Sequence, residues 1–165
     1  MGMAVTRLSE EDRFWSHVVK GPEPDDCWLW TGAISDDGYG RFWIRRESGQ
    51  RAVRPQRYAY ELATGEALPA STLLLHSCDI PICVHASADL NGSHVAPGSH
   101  RDNMLDRAQR GRYRNRHTLR LGDLPRQVRV QRSLDLRSVI LDHGWKPELI
   151  SAALLGVEIT HPRLF

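Results

Sequence analysis

The sequence predicts an α+β fold in which a small antiparallel sheet is followed by C-terminal helices. Residues 27–53 contain short alternating apolar segments separated by Asp-Gly and Ser-Gly turns, a pattern typical of antiparallel strands. Residues 134–155 contain two apolar stripes of helical period, one on each side of Gly144. A chain of 165 residues with 41% hydrophobic content can form one domain with a modest core.

The first element is predicted to be a helix over residues 9–20. Ser9 and Asp12 form a capping-box pattern at its start, and an apolar stripe follows. Three strands of one small sheet are then expected over residues 27–31, 39–46 and 51–53.

A second helix is predicted to follow this sheet. Pro55 suits the first helical position, and Gly65 suits the position just after the end. Three apolar side chains of this helix would pack inward, namely Tyr58, Ala59 and Leu62.

The next part of the chain is predicted to form a strand, a loop, a second strand and a helix. An apolar strand over residues 72–75 delivers His76, and residues 90–95 pair back with it. The helix over residues 99–110 then carries Asn103 in its first turn.

The loop of residues 77–89 between these strands, which we call the knuckle, carries two of the four candidate ligands of a metal site. Cys78, Cys83 and His94 follow the spacing C-x4-C-x10-H, and Cys27 is the remaining cysteine of the chain. Three thiolates and an imidazole are a ligand set that zinc prefers in tetrahedral sites. We therefore predict a structural zinc site that uses all three cysteines and His94.

Two further residues of the same region are left over by the zinc site. His76 is a suitable general base, and Asn103 can offer an oxygen to a hard cation. The sequence therefore suggests that one metal holds the segment rigid while a second takes part in chemistry beside it.

The basic residues are concentrated in the middle of the chain. Residues 41–132 carry 16 of the 22 Lys and Arg residues, and nearly all basic residues are arginine. Because arginine forks match phosphate geometry, this block favours a polyanionic partner. The residues expected to contact DNA are Arg45, Arg51, Arg107, Arg110, Arg112, Arg114 and Arg116.

The order of these residues resembles HNH nucleases of the ββα-metal superfamily. Within it, the sequence is most similar to phage-type HNH proteins and His-Cys box homing endonucleases. The resemblance covers about residues 9–112. The residues that carry it are Cys27-Trp28-x-Trp30, Gly38-Tyr39-Gly40-Arg41, Arg57-x-Ala59-Tyr60-Glu61, His76-x-Cys78, Cys83, Asn91-x-x-His94 and Asp102-Asn103.

The resemblance implies a zinc-stabilised ββα-metal core and a DNA-cleaving activity. His76 would be the general base, and Asn103 would bind a catalytic Mg2+, for which Mn2+ can substitute. An arginine beside the scissile phosphate would stabilise developing charge. Arg41 and Arg57 are both candidates for that role.

One feature departs from the family pattern. The family usually runs from the second knuckle cysteine almost directly into Asn-Pro-x-His, whereas six residues, VHASAD, follow Cys83 here. Gly92 takes the place of the proline. His85 therefore competes with His94 as the fourth zinc ligand, and His94 is preferred because it keeps the family's distance to Asn103.

The function expected from the sequence is that of a divalent-metal-dependent HNH-type endodeoxyribonuclease acting on double-stranded DNA, with a homodimer as one way to cut both strands. The alternative is a non-catalytic zinc module that binds nucleic acid. The expected organisation is a nuclease domain over residues 1–112, an arginine-rich linker over 113–132, and a helical pair over 133–165 for DNA binding or dimerisation. No apolar run could span a bilayer and no signal peptide is evident, so a cytoplasmic location is expected. The resemblance to phage-type HNH proteins implies a bacterial or phage-encoded protein.

Overall fold

The structure is a computed structural model that describes residues 8–112 and 124–157. The described chain is mixed α and β, in agreement with the predicted α+β class. The N-terminal elements are α1 (Glu10–Trp15), β1 (Val18–Lys20), β2 (Trp28–Trp30), β3 (Ala33–Ile34), β4 (Gly40–Arg46), β5 (Gly49–Val53) and α2 (Pro55–Thr64). The later elements are β6 (Leu73–His76), a 3-10 turn (Leu90–Gly92), β7 (Val95–Gly98), α3 (His100–Arg112), α4 (Arg126–His143) and α5 (Pro147–Leu155).

The strands of the described residues form three small antiparallel sheets. β1 pairs with β2, β4 lies between β3 and β5, and β6 pairs with β7. The prediction of one sheet over residues 27–53 was therefore wrong, because β2 pairs with β1 and not with β4.

The first helix is shorter than predicted. α1 ends at Trp15, and Val18–Lys20 form a strand instead of its last turn. Consecutive β-branched residues at 18 and 19 favour a strand over a helix. The predicted cap is confirmed, because the Ser9 side chain accepts a hydrogen bond from the Asp12 backbone N–H at 3.0 Å.

The core of the N-terminal half is an aromatic cluster. Phe14 of α1 is fully buried and contacts the rings of Trp30, Phe42 and Tyr58 at centroid distances of 5.4, 5.4 and 4.8 Å. The cluster joins α1, β2, β4 and α2 into one unit.

Helix α2 begins and ends as predicted. Pro55 is its first residue, and Gly65 adopts a left-handed conformation with φ 73° just after its end. Tyr58 and Ala59 are buried as predicted, whereas Leu62 is 37% exposed, so its predicted inward packing was wrong.

The β6–β7–α3 unit has the predicted order of elements. His76 ends β6 and lies opposite Val95, the first residue of β7. The second strand lies later than the predicted residues 90–95. The Asp89 carboxylate accepts a hydrogen bond from the Asn91 N–H at 3.0 Å, which turns the chain before the strand can begin.

The C-terminal helices pack onto the N-terminal sheets. α4 begins at Arg126, so residues 126–132 of the predicted linker are helical. Leu136, Val139 and Ile140, which belong to the apolar stripe predicted before Gly144, are buried, and Arg137 donates to the Thr31 carbonyl at 2.8 Å. Across residues 8–112 and 124–157, none of the helices has both the length and the apolar character needed to cross a membrane.

Candidate metal centre and the neighbouring histidine

Backbone pairing brings two of the cysteines together. The N–H of Trp30 donates to the Ile82 carbonyl at 2.9 Å, and the N–H of Val84 donates to the Trp28 carbonyl at 2.7 Å. The knuckle therefore runs alongside β2 like an extra strand. Cys27, which precedes β2, is thereby placed beside Cys83 although 55 positions separate them in sequence.

Two more backbone hydrogen bonds place His94 in the same cluster. Its N–H donates to the His85 carbonyl at 2.9 Å, and its carbonyl accepts from the Ser77 N–H at 2.9 Å. Ser77 is next to Cys78. The two hydrogen bonds therefore hold the backbone of His94, just before β7, against both ends of the segment that carries Cys78 and Cys83. Asp79, whose positive φ of 60° suits a tight turn, lies within the knuckle.

The four predicted ligands form one compact cluster. The ligand atoms of Cys27, Cys78, Cys83 and His94 all lie within 4.8 Å of one another. The His94 Nδ1 atom lies 3.4 Å from the Cys27 Sγ and 3.5 Å from the Cys83 Sγ. A tetrahedral zinc site with ordinary bond lengths requires a sulfur–nitrogen separation of about 3.6 Å. The cluster therefore fits a metal ion such as zinc, as predicted.

The thiols of this cluster do not share charge equally. Hydrogen bonds from Cys27 and then Cys83 hold the pKa of Cys78 well below its ordinary value. The hydrogen bond between Cys27 and Cys78 raises the pKa of Cys27, and burial raises the pKa of Cys83. A bound dication would stabilise all three residues as thiolates and displace the protons of those that carry one.

His85, the rival fourth ligand, has a different role. Its ring stacks on Trp28 with centroids 4.3 Å apart and planes 7° apart. Its Nδ1 lies 2.6 Å from the Asp26 carbonyl oxygen, to which it can donate. Burial lowers its pKa, which favours the neutral ring. His85 therefore supports the loop before β2, and His94 supplies the imidazole of the cluster.

His76 lies beside the metal cluster but outside it. Its ring contributes to lowering the pKa of Cys78, after the larger effects of Cys27 and Cys83. Both ring nitrogens are buried, and the ring interacts with the Cys78 sulfur. Apart from that contact neither nitrogen makes a hydrogen bond to a described residue, so the polar contact of this imidazole in the described chain is with a predicted metal ligand.

A cavity of about 430 Å³ separates His76 from helix α3. His76 and His94 line one wall, and residues of α3 that include Asp102 line the other. The structure does not place Asn103 among the lining residues, although it follows Asp102 in the first turn of α3.

From the sequence, Asp102 is expected only to cap the helix. Its carboxylate accepts hydrogen bonds from the Ser99 N–H at 2.8 Å and the Ser99 hydroxyl at 2.7 Å. These bonds hold the pKa of Asp102 below its ordinary value, so the side chain is ionised at neutral pH. An ionised residue therefore lines the same cavity as His76. The adjacent Asp-Asn pair was the signal in the sequence that could have identified it.

The two candidate phosphate-binding arginines lie in different environments. Arg57 donates to the carbonyls of Leu68, Pro69 and Thr72 and pairs with Glu61, so its donors are used to hold the loop before β6. Arg41 is exposed on β4, where it makes no hydrogen bond or ion pair with a described residue. Arg41 is therefore the candidate with unoccupied donors.

The other predicted DNA contacts are only partly within the described structure. Arg45 and Arg51 are exposed on β4 and β5. Arg107, Arg110 and Arg112 belong to helix α3, and only their backbone is described. Arg114 and Arg116 lie outside the described residues.

Sequence comparison identifies relatives in one bacteriophage. The chain is 30% identical to Protein 7.7 of Escherichia phage T7 over 125 residues, which cover 76% of this chain and 84% of that protein. It is also 30% identical to Protein 2.8 of the same phage over 86 residues, which cover 52% of each chain. No protein-family model and no solved structure matches the chain.

Proposed function

The chain belongs to the family of Protein 7.7 of Escherichia phage T7, and we propose that it is a divalent-metal-dependent DNA endonuclease of the HNH type. In this proposal zinc holds the active-site loop, and His76 is the general base. Double-stranded DNA is the substrate. A phage-encoded protein is consistent with the source of both relatives.

The observation that carries this proposal is the position of the buried His76 imidazole beside the metal cluster. It ends β6 in a strand–knuckle–strand–helix unit, beside four residues that can bind zinc and across a cavity from the ionised Asp102. A general base must reach the water that it deprotonates, so the proposal requires a His76 nitrogen, which is shielded from solvent in this structure, to turn towards the cavity that the ring lines.

Each residue of the proposed site has a separate role in the chemistry. His76 accepts a proton from the attacking water, and Arg41 stabilises charge on the phosphate. Asn103 would bind the catalytic magnesium, with the neighbouring carboxylate of Asp102 as a second oxygen donor. A bound Mg2+ supplies charge neutralisation at the phosphate and at the leaving 3′ oxygen. Since Asn103 is a neutral ligand, we expect weak magnesium binding in the absence of DNA.

Zinc has a separate task in this proposal. The β6–β7 pair has only two strands of four residues each, which is too little packing to hold His76 at a defined distance from α3. A zinc ion on Cys27, Cys78, Cys83 and His94 would fix both strand ends next to His76.

Plasmid cleavage tests the proposal. Purified protein should convert supercoiled plasmid to the nicked form in Mg2+ or Mn2+ and should not do so in EDTA. The His76→Ala variant should lose this activity while its zinc content stays unchanged. His100→Ala, a nearby exposed histidine outside the cavity, is the matched control and should remain active.

The magnesium ligands can be tested in the same assay. Asn103→Ala should raise the Mg2+ concentration needed for half-maximal nicking. A larger effect of Asp102→Asn would make Asp102 the main ligand. A single site cuts one strand, so linear product requires a homodimer or two sequential cuts, which analytical ultracentrifugation can separate.

The second candidate function is a non-catalytic zinc module that binds nucleic acid. It is favoured by the shielding of both His76 nitrogens from solvent. Under this alternative, wild-type protein binds DNA without cleaving it in any divalent metal, and His76→Ala changes stability only.

A further inference from the structure

One face of strand β4 carries an exposed row of two arginines and a tryptophan. Arg41, Trp43 and Arg45 alternate along the strand and point away from the core. Phe42 and Ile44, which point the other way, are only 2% and 3% exposed. We call Arg41, Trp43 and Arg45 the β4 row.

Trp43 is placed unlike the core tryptophan of this chain. It is 43% exposed, whereas Trp30 is 1% exposed. Its partner across the sheet is Ala52, whose methyl group leaves the space beside the indole open. The Arg41 guanidinium lies 6.0 Å from the indole centroid. A large flat ring is therefore available on an open sheet surface.

The charges of the β4 row are not neutralised by the described part of the chain. The guanidinium groups of Arg41 and Arg45 make no ion pair within residues 8–112 and 124–157. The next residue, Arg46, pairs with Glu10 at 3.1 Å. The Cα atoms of Arg41 and Arg45 lie about 13 Å apart, since a strand rises about 3.3 Å per residue. They flank the ring on both sides.

The row also starts next to the candidate catalytic histidine. Tyr39, two residues before Arg41, has its ring centroid 6.2 Å from that of His76. A ligand lying along the β4 row would therefore lead towards the His76 region.

We propose that the β4 row binds an unpaired DNA strand, with one base stacked on Trp43 and the flanking phosphates on Arg41 and Arg45. This inference rests on the proposed DNA-cleaving function. Stacking on an aromatic side chain needs the face of a base, which an intact duplex does not offer outside its ends, whereas a single strand does. Two unneutralised arginines beside the ring fit a polyanion better than an apolar protein surface.

Binding of the full-length zinc-loaded protein to matched oligonucleotides tests this inference. The probes are a fluorescein-labelled 20-nucleotide single strand and the blunt duplex of the same sequence, in buffer without added Mg2+. Trp43→Ala should weaken single-strand binding about 10-fold or more, as expected for one lost stacked base, and should change duplex binding by less than about 2-fold. Trp43→Phe should restore most of the loss.

Charge-matched variants test the phosphate contacts. Arg45→Gln should reduce the slope of log K against log salt for the single strand by about 0.7, the value for one lost phosphate contact. Arg46→Gln removes the same charge one residue later but from an existing ion pair, so the slope should stay unchanged.

The inference is overturned if Trp43→Ala weakens both probes equally or neither. It is also overturned if Arg46→Gln matches Arg45→Gln. These results are separable from the cleavage test. Plasmid nicking by a protein whose Trp43→Ala variant binds the single strand normally would refute the β4 row alone. A Trp43-dependent preference for single strands without any cleavage would refute the nuclease proposal alone.

Discussion

Replacing His94 with alanine should abolish stoichiometric zinc binding, whereas the same replacement at His85 should preserve it. The His94 Nδ1 lies 3.4 and 3.5 Å from two of the thiols, at the separation that a shared zinc ion requires. Loss of an outer-shell partner alone weakens metal sites by about 10- to 100-fold, so loss of the ligand itself should cost at least about 100-fold.

The expected effect of His85→Ala follows from two contacts. The stacked pair with Trp28 is worth about 0.5–1.5 kcal/mol, a value typical of aromatic pairs. The hydrogen bond to the Asp26 carbonyl is worth about 0.5–1.5 kcal/mol more. Together these give a destabilisation of about 1–3 kcal/mol, which for a chain of this size lowers Tm by roughly 2–12 °C.

Two measurements separate the variants. Zinc content after dialysis against a competing chelator should be near zero for His94→Ala and unchanged from wild type for His85→Ala. Thermal unfolding followed by circular dichroism gives the stability of the metal-loaded His85→Ala protein. Retention of a full equivalent of zinc by His94→Ala, or its loss from His85→Ala, would refute the assignment of the fourth ligand.

Three further predictions concern the fold and the metal. Gly40→Ala should destabilise the protein by about 1–3 kcal/mol in urea unfolding, because the new methyl group would lie 2.6 Å from the Pro55 ring and 2.7 Å from the buried Trp30 indole. Gly92→Ala is the control. Its methyl group would meet nothing within 4 Å, so stability should change by less than about 0.5 kcal/mol. Arg54 holds the pKa of Asp37 below its ordinary value, so the pair stabilises the fold above about pH 4, the unfolded-state pKa of an aspartate, and this contribution is lost as the pH falls through the folded-state pKa. The stability difference between wild type and Arg54→Gln, measured by urea unfolding, should therefore be present at pH 7 and should shrink below pH 4; a constant difference would contradict the ion-pair explanation. All three cysteines should react with a thiol reagent after a strong chelator has removed the metal, whereas none should react rapidly in the zinc-loaded protein. Three reactive thiols before chelation would contradict a Cys3His site.

Local patterns along the chain were enough to predict several elements. Ser9 and Asp12 at the start of α1, and the proline and glycine that delimit α2, each act within one helical turn. The structure confirms the predicted start of α1 and both predicted ends of α2. The metal ligand set was predictable for a related reason. Cysteines and histidines in a short knuckle have few other uses in such spacing, and Cys27 was the one thiol left to complete the set.

The errors arose where pairing between distant segments decided the outcome. Val18–Lys20 form a strand because β2 offers them a partner, which an apolar stripe of residues 14–19 does not reveal. The later start of β7 depends on side-chain hydrogen bonds within residues 87–93. Helix α4 extends back to Arg126 because arginines of its first turn donate to the carbonyls of Asp36 and Asp37, in the turn between β3 and β4.

The sequence by itself determined the chemical inventory of this protein: a zinc-type ligand set, a histidine left over beside it, and an excess of arginine. Only the tertiary structure decided which histidine joins the cluster, that Asp102 lines the His76 cavity, and that Arg57 is committed to backbone carbonyls while Arg41 is not. The physical reason is that ligand type depends on a side chain alone. Its availability depends on neighbours that folding brings from distant positions in the chain.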